Sequence, residues 1–452
     1  MSTDKIANYI VDTSYDQIPK DAVNTAKQAI LDCIGVTLAG YKESGCSILN
    51  EYIREEGGNP QAGVIGWDFK TTASQAAWAN GNMAHALDYD DYAICFLGHP
   101  TVAILPSALA LGEKNKISGK DLLLSYIVGF EVGAKIGPVC LQHYLVGWHT
   151  TATLGSVSAV AACAKILGLG ADQTKVALGI ASSLAGGLKE NFGTMTKPFH
   201  AGNAARNGVV AALLAQKGFT ANTAIMESNQ GFCKAFAGGV DLELEKISEG
   251  LGERYDIATG ITIKPWPACG GTHTTIEGTI YLAEQYNIKP EDVEEIELRT
   301  HPAIPTATIH SRPKTGLEGK FSNEYCAARA LLDGEVCLKH FTDEQVMQPA
   351  VQELIPKVKY NHPEEMSMDM DAALASEVEI RLKNGQSYSH RVNFPKGEAR
   401  NPLGWEGVSS KFKDCAKVVL SEEQTQKCLD LISDLESVED ISPLMRILTS
   451  GQ

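Results

Sequence analysis

The chain has no Cys-x-x-Cys pair among its 11 cysteines, an odd count that fits reduced, buried thiols better than a disulfide framework or a zinc site. It also lacks any run of Lys or Arg. With 39 basic against 55 acidic residues the formal charge is −16, so no positive field is available to hold a nucleic-acid duplex or an anionic membrane. The opening Met1-Ser2-Thr3-Asp4-Lys5 does not have the basic-then-apolar order of a signal peptide, and Pro, His, Lys or Gly breaks the most apolar stretches. A cytoplasmic location is expected. Missing too are the phosphate-cradling G-x-x-x-x-G-K-[ST], the dinucleotide turn G-x-G-x-x-G, the zinc helix H-E-x-x-H and the hydrolase elbow G-x-S-x-G. Nucleotide-driven chemistry, hydride transfer, zinc hydrolysis and the usual serine hydrolase are therefore disfavoured.

What is present is a folded-protein composition, 44% hydrophobic and 21% charged over 452 residues, enough for two or three domains. Up to about Phe236 the pattern is helical. Val23, Ala26, Ala29, Ile30, Cys33 and Ile34 form a stripe between Pro19 and Gly40, and Ser118 to Asp121 reads as a capping box before Leu122 to Ile136. An Ala-rich run from Gly155 to Leu167 predicts closely packed helices. From about Ile261 period-two alternation begins, in Glu295 to Thr300 and in Glu377 to Leu382, with Lys383-Asn384-Gly385-Gln386 turning into Ser387 to Phe394. Helical segments are expected at Thr272 to Gln285, Asn323 to Leu332 and Asp343 to Leu354. The predicted fold is mainly α: an all-helical domain over 1–266, a smaller α+β domain inserted at 267–398, and C-terminal helices over 399–452 that rejoin the first. The cleft between domains is the expected ligand site.

Titratable side chains cluster at three places. His85-Ala86-Leu87-Asp88-Tyr89-Asp90-Asp91-Tyr92, followed by His99-Pro100-Thr101, offers either oxygen ligands for a hard cation or an acidic cap for a helix starting near Thr101. The EF-hand spacing is absent. Gly147-Trp148-His149-Thr150-Thr151 leads into the Ala-rich helix, where His149 is a structural residue or a proton carrier. The stretch Gly193 to Gly208 puts Lys197, His200 and Arg206 on a turn entering a helix, and Ile263 to His273 adds Lys264 and His273 at the domain boundary. Two lysines converging on a cleft in so acidic a protein would trap a polycarboxylate.

Taken in order, His-Ala-Leu-Asp-Tyr-Asp-Asp (85–91), His-Pro (99–100), Gly-Trp-His-Thr-Thr (147–151), Lys-Pro-Phe-His-Ala-Gly-Asn-Ala-Ala (197–205), Lys-Pro-Trp-Pro-Ala-Cys…His (264–273) and Tyr-Cys-Ala…Leu-Leu-Asp-Gly (325–334) resemble the MmgE/PrpD family over nearly the whole chain. That family includes 2-methylcitrate dehydratase, cis-aconitate decarboxylase and iminodisuccinate epimerase. The resemblance implies a large helical domain with an α/β lid, a homodimer, and catalysis with neither metal nor organic cofactor. It further implies that Asp88, His99, His149, Lys197, Lys264 and Tyr325 line the active site.

On that footing Lys197 and Lys264 clamp carboxylates and hold the negative charge of an enolate-like species, while His149 moves a proton. Asp88 and His99 are expected to pair, and Tyr325 to donate from the lid. His200, Arg206, Cys269 and His273 complete the expected substrate-binding set. This sequence departs from decarboxylase-like relatives in carrying Cys269 where they have His and Tyr92 near a Thr, and its Asp88–His99 loop is one residue longer. Cys269 substitutes for the missing proton donor only if a neighbour such as Lys264 lowers its pKa. The leading reading is a lyase, dehydratase or decarboxylase, acting on a small di- or tricarboxylate of the 2-methylcitrate or cis-aconitate type. An epimerase of an amino- or imino-dicarboxylate such as iminodisuccinate is the second reading, and a non-catalytic helical binding protein the third.

Overall fold

The computed structural model describes residues 1–449 apart from 303, 365 and 367–372. The chain is mainly helical, and its largest sheet has four strands. Helix Lys20–Ala39 starts after Pro19 and buries the predicted stripe. It stops at Gly40, where a Cβ would lie 2.4 Å from the Met83 carbonyl oxygen. Helix Gly119–Ile136 has the expected capping box: the Ser118 hydroxyl accepts from the Asp121 N–H at 3.1 Å, and the Asp121 carboxylate accepts from the Ser118 N–H at 3.3 Å. The Ala-rich helix spans Thr150–Ile166, beginning at Thr150 and not at Gly155.

Small residues let the helices meet backbone to backbone, and one such crossing shapes the site. Gly81, in helix Ala73–His85, faces Gly202, in helix Thr196–Gln216, so closely that a Cβ on Gly81 would stand 2.8 Å from the Gly202 Cα. One turn beyond Gly81 lies His85, and about one turn before Gly202 lie Lys197 and His200. Any side chain at the crossing would separate these groups. Gly208 sits equally close against Ala159 of the Thr150–Ile166 helix.

Residues from Ile6 to Ile263 share one apolar core with Val408, Phe412, Leu429, Ile432 and Leu448 from the C-terminal helices. A second core runs from Ala268 to Leu382. Around it the sheet order is Val358–Asn361, Val293–Thr300, Ser376–Leu382, Ser387–Val392, with helices His273–Gln285 and Asn323–Asp333 packed nearby. The strand at Val358–Asn361 was not anticipated, and it runs parallel to Val293–Thr300, so the sheet is mixed and not purely antiparallel. The expected helix over Asp343 to Leu354 is broken into Asp343–Val346 and Pro349–Leu354, because Pro349 has no N–H to continue the first. All eleven cysteines are free thiols, eight of them buried. Among the described residues no helix is long and apolar enough to cross a membrane.

Candidate active site

The loop between His85 and Thr101 is held from several sides. Tyr92 and Ala93 pair with Thr262 and Ile261 in a short antiparallel ladder, which brings Lys264 beside Asp88. The Thr150 hydroxyl donates to the Leu97 carbonyl, and the Thr151 hydroxyl accepts from the His99 N–H at 3.0 Å, tying the start of the Ala-rich helix to the same loop. Asp91 accepts from the Thr101 hydroxyl. Helix Thr101–Asn115 has Pro100 at its cap position, which offers no side-chain cap, and Asp91 reaches the first helical residue, Thr101, through both its hydroxyl and its backbone.

Asp88 stands at the centre. Its two carboxylate oxygens are divided between two ammoniums, Lys197 on Oδ1 and Lys264 on Oδ2, the latter at 3.0 Å. Burial alone would raise the Asp88 carboxyl, but Lys197 and Lys264 outweigh it and hold it well below the usual carboxylate range. The Lys197 ammonium also lies 5.3 Å from the Phe192 ring centroid and 4.9 Å from that of Phe321, a cation–π cradle. An ammonium has three donors. Lys264 uses two, on the Asp88 carboxylate and on the Asp88 carbonyl at 2.8 Å, so one donor remains for a second anion.

Around this triad sit four imidazoles. Asp90 accepts from His85 Nδ1 at 2.9 Å and from His99 Nδ1 at 2.9 Å. Because Nδ1 of His99 also faces the Asp91 carbonyl at 2.8 Å, both rings must carry their proton on Nδ1. Nε2 is then a bare acceptor, and that of His85 is buried without a partner. Ring centroids of His85 and His99 are 4.5 Å apart, those of His85 and His149 5.8 Å. His149 Nδ1 meets His200 Nδ1 at 3.1 Å, one donating and the other accepting.

Burial, with Asp90 opposing and Lys197 assisting, pushes His85 down to about 3. Burial and Lys197 push His200 down to about 4 and hold His149 well below the ordinary imidazole value. Burial likewise lowers His99. The array at neutral pH is thus a set of uncharged imidazoles beside charged lysines, able to accept protons when an anion arrives to offset the lysine field.

Asp88, His99, His149, His200, Lys197 and Lys264 therefore converge. Five other expectations need correction. The expected Asp88–His99 pair does not form: His99 donates to Asp90, because both Asp88 oxygens are taken by lysines. Tyr325 does not face the site. Its hydroxyl donates to the His340 carbonyl and accepts from Arg329 Nε at 3.2 Å inside the second core. Arg206 is nine residues beyond Lys197, half a turn out of phase at about 100° per residue, and its guanidinium stacks 5.0 Å from the Trp78 ring centroid instead. Cys269 lies within the field of Lys264, yet burial first and Asp88 second raise its thiol, so the lysine does not activate it. His273 is fully buried, its Nε2 held by the Ala268 carbonyl at 3.2 Å and its ring against Trp266, beside the clamp rather than in it.

Sequence reasoning missed Asp90 as the shared acceptor, His85 as its partner, and Lys320. The Lys320 ammonium is buried on the Leu87 and Pro267 carbonyls, and burial lowers its pKa to about 8. His85 and Asp90 were visible within the first titratable cluster. Lys320, a single lysine before Phe321, carried no signal. Leu87 and Lys320 also line a cleft of about 630 Å³ that runs past Met195 and Thr315. One ligand atom each from His85, Asp88 and His99 lies within 4.8 Å of the others, a geometry a metal ion would accept. Two ammoniums already occupy the Asp88 oxygens, and a cation there would have to compete with the lysine on the oxygen it took.

Charged lysines and neutral imidazoles gathered round one carboxylate, in a helical scaffold with a second α+β core, make an acid–base site able to hold an anion. Residues 4–245 match the MmgE/PrpD N-terminal domain and residues 266–437 the MmgE/PrpD C-terminal domain. The chain belongs to the MmgE/PrpD family and is a lyase of that type. It is 30% identical to the cis-aconitate decarboxylase of Mus musculus, over 99% of this chain and 93% of that protein. It is 32% identical to the cis-aconitate decarboxylase of Aspergillus terreus, over 99% and 95%. A 2-methylcitrate dehydratase-like protein of Aspergillus oryzae, oryR, is 25% identical over 95% and 92%. These relatives lend no support to the epimerase or non-catalytic expectations.

Proposed function

We propose that this lyase acts on a small di- or tricarboxylate of the cis-aconitate or 2-methylcitrate type, breaking a bond next to a carboxylate with proton transfer. The observation that carries the reading is the meeting of Lys197 and Lys264 on one carboxylate, within an array of neutral imidazoles. Spare ammonium donors bind the substrate carboxylates, and the anion's charge raises the nearby imidazoles toward protonation. In decarboxylation the C–C bond breaks, CO₂ leaves, and the electron pair left on carbon delocalises toward a neighbouring carboxylate held by the lysines. An imidazolium, in our reading that of His149, then gives that carbon its proton. In dehydration a neutral imidazole takes the α-proton and a protonated group accompanies the departing hydroxide as water. The relatives named as cis-aconitate decarboxylases favour the first course.

The cleft beside Lys320 is the proposed way in. A homodimer in the cytoplasm, without metal or organic cofactor, belongs to the same proposal, and light scattering reads the dimer. The test is to incubate the protein with a panel of polycarboxylates in D₂O and follow loss of CO₂, loss of water and deuterium uptake by NMR. CO₂ release from cis-aconitate supports the decarboxylase, and water release from a 2-methylcitrate-type hydroxy acid supports the dehydratase. Deuterium uptake with inversion and neither loss would overturn the lyase reading.

A further inference from the structure

Asp88 has a left-handed backbone, φ 51°, which residues with a Cβ rarely adopt and which persists only where the surroundings impose it. The surroundings here are three lysines and one imidazole on four carbonyls of one short loop. Lys320, from the second core, donates to the Leu87 carbonyl at 2.5 Å. Lys264 donates to the Asp88 carbonyl at 2.8 Å. Lys411, from the C-terminal helix Gly404–Ala416, donates to the Tyr89 carbonyl at 2.6 Å. His99 donates to the Asp91 carbonyl at 2.8 Å. The three lysines come from three different parts of the chain, and His99 from the end of the loop itself.

Two of the four, Lys411 and Lys320, hold backbone carbonyls and do not bond the Asp88 carboxylate. Lys411 is anchored by the fully buried Asp32 at 2.7 Å and lies 3.8 Å from the Tyr89 ring centroid. The Tyr89 hydroxyl in turn donates to the Pro265 carbonyl at 3.1 Å, next to Lys264. Lys320 bridges the loop to Pro267, at 3.1 Å, across the boundary between the two cores. A buried lysine is a costly way to satisfy a carbonyl, since a neutral donor would do so without desolvating a charge. Its use at Leu87 and at Tyr89, flanking the left-handed Asp88, sets the peptide planes on either side of that residue.

We propose that Lys320 and Lys411 are positioning residues: by gripping the carbonyls of Leu87 and Tyr89 they hold Asp88 where it can receive Lys197 and Lys264 together. Lys411 acts from the C-terminal helices and Lys320 from the second core, so the site is complete only when both are docked on the loop. This rests on the proposed lyase function for its kinetic consequence but not for its structural one.

The test compares the wild type with Lys411→Met, Lys320→Met and the conservative Lys320→Arg. Asp32→Asn serves as a milder release of Lys411, should the methionine variant fail to fold. Hydrogen exchange of the peptide spanning 86–92 should accelerate in the methionine variants while helix Gly119–Ile136 stays protected. Turnover of the preferred polycarboxylate should drop about 10- to 100-fold in kcat, the scale of a misplaced catalytic group, with KM within about twofold of wild type. Lys320→Arg should restore part of the rate and the protection. Asp32→Asn should show the same pattern in weaker form. Unchanged exchange at 86–92, or a rate loss matched by loosened exchange throughout both cores, overturns the proposal. If the wild type turns over no polycarboxylate, the lyase reading fails alone, and the exchange data still decide the clamp.

Discussion

Lys264 holds Asp88 twice, its ammonium lying 2.8 Å from the backbone carbonyl and 3.0 Å from the carboxylate of the same residue. One side chain thus fixes both where Asp88 sits and which way its carboxylate points. Both groups are almost wholly buried, so each depends on the other for compensation of its charge. Lys264→Met is expected to cost about 3–5 kcal/mol of folding stability, the range for removing one partner of a buried pair. Adding Asp88→Asn should recover part of that loss. Denaturant midpoints read both, and a double variant that falls further instead of recovering would remove the pairing from the account.

Lys197 has the freer ammonium, engaged with Asp88 and flanked by two aromatic rings. Lys197→Ala is expected to weaken binding of citrate-like anions by about tenfold to a hundredfold, the worth of a charged hydrogen bond. Calorimetry with citrate measures it. Unchanged affinity would count decisively against the carboxylate clamp.

His149→Gln should abolish turnover with the fold intact, since the Gln amide keeps a hydrogen bond to His200 but does not carry a proton at neutral pH. Circular dichroism and the thermal midpoint report the fold, and a variant at full speed would end the proposed role of His149.

The pH behaviour of His85 has a definite sign. Burial holds its folded value near about 3, whereas the unfolded chain protonates it near about 6.5. Its contribution to stability is full above the unfolded value and is lost progressively as pH falls toward the folded one, because only the unfolded state takes up the proton in that window. Imidazole ¹⁵N NMR at about pH 5 should find Nδ1 protonated and Nε2 bare in the native protein. A doubly protonated ring at that pH would contradict the assignment.

Tyr325→Phe should leave kcat close to wild type, because the hydroxyl is committed to the His340 carbonyl and Arg329. It should lower stability by about 1–3 kcal/mol through the unpaired buried carbonyl. A large loss of rate at unchanged stability would return Tyr325 to the catalytic set.

Much of the fold was legible because its causes are local. Helical stripes, the Ser118 cap and the Gly385 turn act over a few residues, and the structure has each of them. The strand at Val358–Asn361 was not legible. It is short, and its pairing with Val293–Thr300 is a contact between segments some sixty residues apart, for which four residues carry no pattern.

The site divides in the same way. Sequence alone determined which residue types were available: lysines and histidines on turns at helix starts and at the domain boundary, in an acidic chain. Tertiary structure decided who pairs with whom. Asp88, Asp90 and Asp91 are near-equivalent in sequence, yet one receives two lysines, one two histidines and one a threonine. That choice depends on the left-handed turn at Asp88 and on the glycine-to-glycine crossing of Gly81 and Gly202, which set distances of a few ångströms between groups far apart along the chain. Electrostatic and hydrogen-bond energies vary steeply over such distances, so composition names the participants and packing assigns their partners.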